Sequence, residues 1–293
     1  MKKKFINKKF SWGTELVIDE ANTIIDEYQH AGMTLTLRQL YYQFVSRDLL
    51  ENKQKEYSRL GRILSDARMA GEIDWDAIED RTRNIKKTNT WTDPGEIIKA
   101  SARSFKLDHW SGQGYYIEVW IEKEALIGVI DSVCRDLHVG WFACKGYVSK
   151  SEMYASARRM RWWGWEEKKQ PIIIHLGDHD PSGIDMTRDI FAQHSVFKGA
   201  AEVKRIALNM DQIEKYNPPP NPTKLTDSRS TGYIEKYGMG SWELDALDPK
   251  MMQKLVKDTI LQYRDQHIYQ GVIEQEAEYK NILNKVAENW REL

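Results

Sequence analysis

The chain has 293 residues, 41% of them apolar, enough to bury the cores of two modest domains. Its 43 basic side chains are balanced by 44 acidic ones, a net charge of -1, so the whole-molecule field gives no reason to expect a polyanionic partner and any basic surface must be local. No stretch approaches the roughly 18 apolar residues of a membrane span, the opening MKKKFINKKF lacks the apolar core of a secretory leader, and two isolated cysteines, Cys134 and Cys144, are too few for a thiolate metal site or a disulfide framework, so both read as core residues and a reducing cytoplasm as the setting.

Residues 12 to 70 read as three helices. The second opens on a capping box, Thr36-Leu37-Arg38-Gln39, and carries an apolar stripe of Leu37, Leu40, Tyr41, Phe44 and Val45 at helical spacing. The third, after a polar break at 51 to 54, has the stripe Leu60, Ile63, Leu64 and Ala67, with Arg59 and Arg62 on its outer side. Strand signals follow from Gly71 to Asp80. Helix, turn, basic helix and strand resemble a winged helix-turn-helix, with GEIDWDAIEDRTR as the wing, the third helix in the major groove and Arg59 and Arg62 on DNA. A further basic run is Arg81, Arg83, Lys86 and Lys87.

Residues 88 to 114, rich in Thr, Ser, Gly and Asp and holding Pro94, read as a linker. Beyond them strands alternate with helices: strand 115 to 121, a helix through Ala125 to Val133, strand 140 to 144, helix 151 to 161, strand 171 to 176, helix 184 to 192 and strand 201 to 208. That alternation predicts a parallel, doubly wound sheet. The basic stretch Lys145 to Lys169 sets seven Lys/Arg against three Glu and includes Trp162, Trp163 and Trp165; it reads as a packed helix face or as a base-stacking surface. NPPPNP (217 to 222) predicts an irregular loop, because its four prolines oppose regular pairing. From Asp248 onward the pattern is helical.

In an open parallel sheet, ligands sit beyond the carboxyl ends of the strands. YYIEVWIE delivers Glu122 to one strand end, and PIIIHLGDHDPSG delivers Asp178 and Asp180 to another. Two aspartates separated by one residue in extended geometry project to one side while His179 points away. Oxygen ligands suit magnesium. The alternative is a polar loop with Asp180 as a helix cap.

Glu122, DHDPSG and the intervening Lys145-Gly146 together resemble the Toprim fold. More narrowly, IEKEAL, CKGYVSKSEM and GDHDPSG are similar to motifs of the topoisomerase VI A subunit and its meiotic double-strand-break relatives, as is Arg38-Gln39-Leu40-Tyr41-Tyr42, whose second tyrosine is the family's nucleophile. The resemblance spans roughly residues 34 to 255. It implies a winged helix-turn-helix domain at 1 to 95, a linker at 96 to 114, a Rossmann-like Toprim domain at 115 to 247 and a helical extension at 248 to 293. It also implies magnesium, as one ion or a pair, on Glu122, Asp178 and Asp180, with Lys145 as a phosphate contact and Lys224, Asp227, Arg229 and Glu243 as outer residues. Glu118 and Glu124 carry no assigned role.

Helical geometry places Tyr41 on the apolar stripe and Tyr42 about 100° away, where it could reach a partner. Arg38 shares its face and could favour the phenolate, and Ser46 could hydrogen-bond it. The family's reaction is attack of that tyrosine on double-stranded DNA, leaving a 5′-phosphotyrosyl link, in a homodimer where each tyrosine faces the other protomer's metal site, with a separate GHKL-type ATPase subunit for strand passage. Such a chain would be cytoplasmic, or nucleoid-associated in a prokaryotic or viral setting. Two other readings stay open: a Toprim-type hydrolytic nuclease that leaves Tyr42 idle, and a non-catalytic DNA-binding module.

Overall fold

The computed structural model describes residues 1–78, 88 and 90–290. Three helices, α1 (Trp12–His30), α2 (Leu37–Ser46) and α3 (Gln54–Ala70), form the N-terminal cluster. Thr36 caps α2 through the Gln39 amide, and the Gln39 side chain accepts the Thr36 amide at 2.9 Å, the expected reciprocal box. Ile24, Tyr28, Leu40, Phe44, Leu60 and Leu64 meet in one core, which also takes in Ala246 from far along the chain.

Four parallel strands form the central sheet: β1 (Tyr115–Ile121), β2 (Gly140–Ala143), β3 (Gln170–Leu176) and β4 (Glu202–Ala207), in the order β2-β1-β3-β4. β1 and β3 are central and buried on both faces, which is why they read as near-continuous apolar runs. Alternate residues serve opposite cores. Ile117, Val119, Ile121, Ile172, Ile174 and Leu176 pack with α5 (Ile127–Asp136) and α10 (Pro249–Leu261), whereas Trp120 and Ile173 pack with α6 (Lys150–Trp165) and α7 (Pro181–Val196). The order in which strands are added reverses at β1 and β3, with β2 laid on one side and β3 and β4 on the other, so a crevice is expected at their carboxyl ends.

Three expectations need correction. NPPPNP is not wholly irregular: β5 (Asn221–Pro222) pairs antiparallel with β6 (Gly240–Ser241). A two-residue strand asks little of Pro222, whose missing N–H falls at an edge. Within the expected linker lies α4 (Pro94–Ser104), capped by Asp93 and packed on α11 (Gln266–Glu288), and beyond it Glu276 of α11 accepts from the Leu107 amide at 2.9 Å and lies 2.8 Å from His109 Nε2. Polar composition hid an ordered helix there because its partner lies more than 160 residues away. In the described part of the expected wing, Gly71 to Ile78, the only β pairing is one parallel bridge, Leu35 to Ile78. The remainder of the wing and the run Arg81, Arg83, Lys86 and Lys87 lie outside the described residues. Two short helices, α8 (Met210–Tyr216) and α9 (Ser230–Tyr237), complete the fold, and among the described residues no helix is long and apolar enough to cross a membrane.

Candidate active site

Glu122 leaves β1 in register with its neighbours, its amide donating to Leu176 O at 2.9 Å and its carbonyl accepting from the Lys145 amide at 2.9 Å. Its Oε2 accepts the Asp178 amide at 2.8 Å, so the first acid and the DHD segment are tied directly. Room for that carboxylate depends on two glycines: a Cβ at Gly177 would lie 2.9 Å from Glu122 Oε2, and one at Gly183 would lie 3.1 Å from it and 2.2 Å from Asp178 O. Asp178 accepts the Leu244 amide at 2.7 Å. Asp180 is the N-cap of α7, accepting from the Gly183 amide at 2.6 Å and from Ser182 Oγ at 3.0 Å. All three acids line one cavity of about 830 Å³. His179 does turn away, its Nδ1 lying 2.7 Å from the Tyr233 hydroxyl.

A lysine sits among these acids. Lys123 Nζ lies 3.0 Å from Asp178 Oδ2, 3.0 Å from Glu243 Oε2 and 2.8 Å from Asp245 Oδ2. Its burial opposes protonation, but the three carboxylates outweigh that and hold the ammonium charged far into the basic range. Asp178 is nonetheless pushed up by burial. Glu122 fares differently: burial first, then the charge of Asp178, push its carboxyl up to about 7, with Lys123 opposing only weakly. Beneath the loop, half-buried Arg205 on β4 donates to the carbonyls of Gly177 (2.9 Å), Asp178 (2.7 Å), Gly183 (2.9 Å) and Leu208 (3.1 Å). Burial lowers its pKa to about 10 despite the three acids above it. This arginine fixes the shape of the acidic loop.

Next to the acidic cavity is a recess of about 280 Å³ around Tyr41 and Tyr42, and the two spaces share Arg38, Asn221, Pro222 and Glu243 as a common wall. Tyr41 is core, as expected, its hydroxyl donating to Glu51 O at 3.0 Å or Lys53 O at 3.1 Å and accepting the Lys53 amide at 2.8 Å. Tyr42 departs from expectation: it is only 4% exposed. The face of α2 that helical periodicity leaves open is covered by the Asn221 to Ala246 segment, so both sides of the helix are buried. Burial, then Glu243, pushes the Tyr42 hydroxyl above its usual range, although Asn221 and Arg38 pull the other way. Arg38 lies over the Tyr42 ring, 5.8 Å from its centroid, but its guanidinium is paired with Glu243 and sits 3.4 Å from Asp245. Ser46 does not reach Tyr42; its hydroxyl donates to Gln43 O at 3.2 Å.

Other expected residues are spread more widely. Lys145 lines the cavity rim but pairs with Glu124 at 2.8 Å, and Glu118 is buried in an ion pair with Arg159, so both unassigned glutamates are locally paired. Lys224 lines the cavity, whereas Asp227 and Arg229 pair with each other at 2.8 Å. On α3, Arg59 pairs with Glu56 at 2.7 Å and Arg62 is exposed. Cys134 and Cys144 are buried and free.

Sequence reasoning missed Lys123, Asp245 and Arg205. Lys123 directly follows Glu122 in IEKEAL, a signal that was visible but carried no partner, because Asp245 lies over a hundred residues away. Arg205 gave no signal beyond a polar position in a strand. Among the described residues no three His, Cys, Asp or Glu side chains stand as a ready metal-binding group. Comparison with protein-family models and with curated proteins finds no match.

Proposed function

We propose that this chain cleaves DNA at the acidic cavity, as a Toprim-type, topoisomerase VI A-like enzyme in which Tyr42 is the nucleophile. The observation that carries this reading is the common wall: the carboxylates at the β1 and β3 ends and the recess of Tyr42 adjoin through Arg38 and Glu243 within one chain.

The donor set fits magnesium in kind. Glu122, Asp178 and Asp180 offer only carboxylate oxygens, and the two glycines leave space beside Glu122 that a Cβ would fill. Glu122, Asp178 and Asp180 would hold the ion, with Lys123 yielding Asp178 to it. A bound magnesium ion supplies charge neutralisation on the phosphate and on the leaving oxygen. In the proposed reaction Tyr42 Oη bonds to phosphorus, the bond from phosphorus to the 3′ oxygen breaks, and the 5′ phosphate stays on the tyrosine. Glu243 is the charge that bears most on the Tyr42 hydroxyl, but, against its burial, Lys123 and Arg38 hold its carboxyl below the usual range, so in the proposed reaction the tyrosine proton passes to water. Glu122, near 7, populates both forms at neutral pH and is suited either to return a proton to the leaving oxygen or to join the ligands. Arg59 and Arg62 on α3, in a winged-helix reading of the N-terminal cluster, and Lys145 at the rim would contact phosphates.

Cutting two strands calls for two chains, hence a homodimer, and ATP-driven passage calls for a separate ATPase subunit. In the resemblance the tyrosine faces the partner's acids; the shared wall also sets Tyr42 beside the acids of its own chain.

One observation favours a second reading. A tyrosine this buried, with its hydroxyl pushed up, is a poor nucleophile as it stands. A hydrolytic nuclease would use the same acids and leave Tyr42 as a wall. Supercoiled DNA incubated with Mg²⁺ and stopped with denaturant separates the two. Covalent protein on 5′ ends, lost in Tyr42→Phe, is the expected result. Cutting that survives Tyr42→Phe and leaves no adduct overturns the transesterase and establishes hydrolysis.

A further inference from the structure

Helix α6 runs away from the acidic cavity. From its N-cap, Ser149, to Trp165 it covers about 24 Å at the usual helical rise, so its C-terminal half lies far from the three acids. Met153, Ser156, Ala157 and Met160 face the sheet. The opposite side carries Tyr154, Arg158, Arg161, Trp162 and Trp165, which fall within about 100° of helix circumference. These residues line a groove of about 700 Å³. A solvated helix face is normally Glu and Lys; this one leaves Tyr154 at 48%, Trp162 at 49% and Trp165 at 59% exposure.

The packed-helix reading of the tryptophans holds for one of them. Trp163 stacks on Tyr116 at 4.6 Å and 14° and has Lys169 over its ring. Trp162 and Trp165 do not share that role. Trp162 meets only the edge of Trp163, at 4.7 Å, and Arg161 lies 6.0 Å from the Trp165 ring. Arg158 is exposed and, among the described residues, makes no ion pair or hydrogen bond. Of the helix's arginines, Arg159 is committed to Glu118 and Arg161 donates to Phe197 O at 3.0 Å, which leaves Arg158 as the cation turned to solvent on this face among the described residues. No Leu, Ile, Val or Phe lines the groove, and its only carboxylate is Glu166 at one end.

We propose that this face of α6 binds single-stranded nucleic acid. Exposed indole and phenol faces offer stacking platforms that only unstacked bases can use, and Arg158 between them meets a phosphate. A duplex would present its backbone to the tryptophans and leave them without partners. The shared chemistry is a flexible polynucleotide with free bases, DNA or RNA.

Binding of labelled twenty-nucleotide oligo(dT) and oligo(U) to the full chain, in EDTA so that the acidic cavity holds no cation, tests this independently of any cleavage. Trp162→Ala and Trp165→Ala are each expected to weaken binding roughly five- to a hundredfold, whereas Trp162→Phe and Trp165→Phe retain most of it. Arg158→Glu is expected to weaken binding and to lower the salt slope by about 0.7 for each lost phosphate contact. A blunt duplex of equal length should be indifferent to the tryptophan changes. The relative affinity for the two oligonucleotides identifies the natural strand. Wild-type binding by the double alanine variant, an unchanged salt slope in Arg158→Glu, or no binding by the unaltered protein at low salt overturns the proposal. So does a double variant that changes only the oligomeric state at unchanged oligonucleotide affinity, which would make the face a contact between copies, since Trp, Tyr and Arg also anchor protein interfaces. Equal thermal midpoints certify that the variants are folded.

Discussion

On one side of the wall formed by Arg38, Asn221, Pro222 and Glu243 lie three carboxylates, with one half-buried ammonium paired to Asp178 alone among them; on the other lies a phenol shut in by the same side chains. The first space is set up for charge. Lys123 shares its one positive charge among Asp178, Glu243 and Asp245, while burial and Asp178 push the Glu122 carboxyl up to about 7. The second is set up for closure, since Tyr42 is buried and the cation over its ring, Arg38, is spent on Glu243 and Asp245. Asp178, Lys123, Glu243, Asp245 and Arg38 form one network of ion pairs, and Arg38 ends it over the Tyr42 ring.

Breaking the acidic side should have the largest effect. Asp178→Ala is expected to reduce DNA cleavage on the order of a thousandfold, measured as nicking of a plasmid, while leaving the protein folded. Arg205→Met tests the support of the loop: with four carbonyls deprived of their donor, stability should fall by about 3 kcal/mol in urea unfolding, and cleavage should fall with it. An unchanged midpoint would contradict the positioning role.

The pH dependence sharpens the contrast between Glu122 and its neighbours. Because the folded pKa of Glu122 is raised from the ordinary carboxyl value to about 7, its contribution to stability is present below about pH 4.5 and is lost as pH rises to 7. His175 acts in the opposite sense. Burial and then Arg205 lower its pKa to about 3, so its contribution is present above about pH 6.5 and is lost as pH falls toward 3. The difference between wild type and Glu122→Gln in EDTA isolates the first group: the variant should be more stable by about 1 to 2 kcal/mol at pH 8 and equal at pH 4. Magnesium should raise the wild-type midpoint at pH 8 more than at pH 5 and leave Glu122→Gln little changed. The smallest effect belongs to the rim. Lys145→Ala removes an exposed pair with Glu124 and should alter stability by less than about 0.5 kcal/mol, yet lower the salt slope of duplex binding.

Much of this architecture was legible in the residues. The apolar runs of β1 and β3, the glycine after β3 and the Thr36-to-Gln39 box place their elements because strand burial and helix capping are local. The acids at the strand ends followed from those runs. What stayed hidden depends on distant chain. Tyr42 looked accessible because helical periodicity describes α2 alone, whereas its second side is covered by residues 221 to 246. Lys123 looked like a neighbour of Glu122, whereas its ammonium answers to Asp245 and Glu243. The order of α4 rests in the same way on α11.

The central claim is that Glu122, Asp178 and Asp180 act with a divalent cation on a DNA phosphodiester. Cleavage of supercoiled plasmid, followed across a magnesium titration for wild type and Asp178→Asn, tests it most directly. The expected result is cutting that requires the metal, saturates with it and is abolished in Asp178→Asn. Equal cutting by Asp178→Asn, or an intact plasmid with wild type under magnesium and manganese alike, would contradict it.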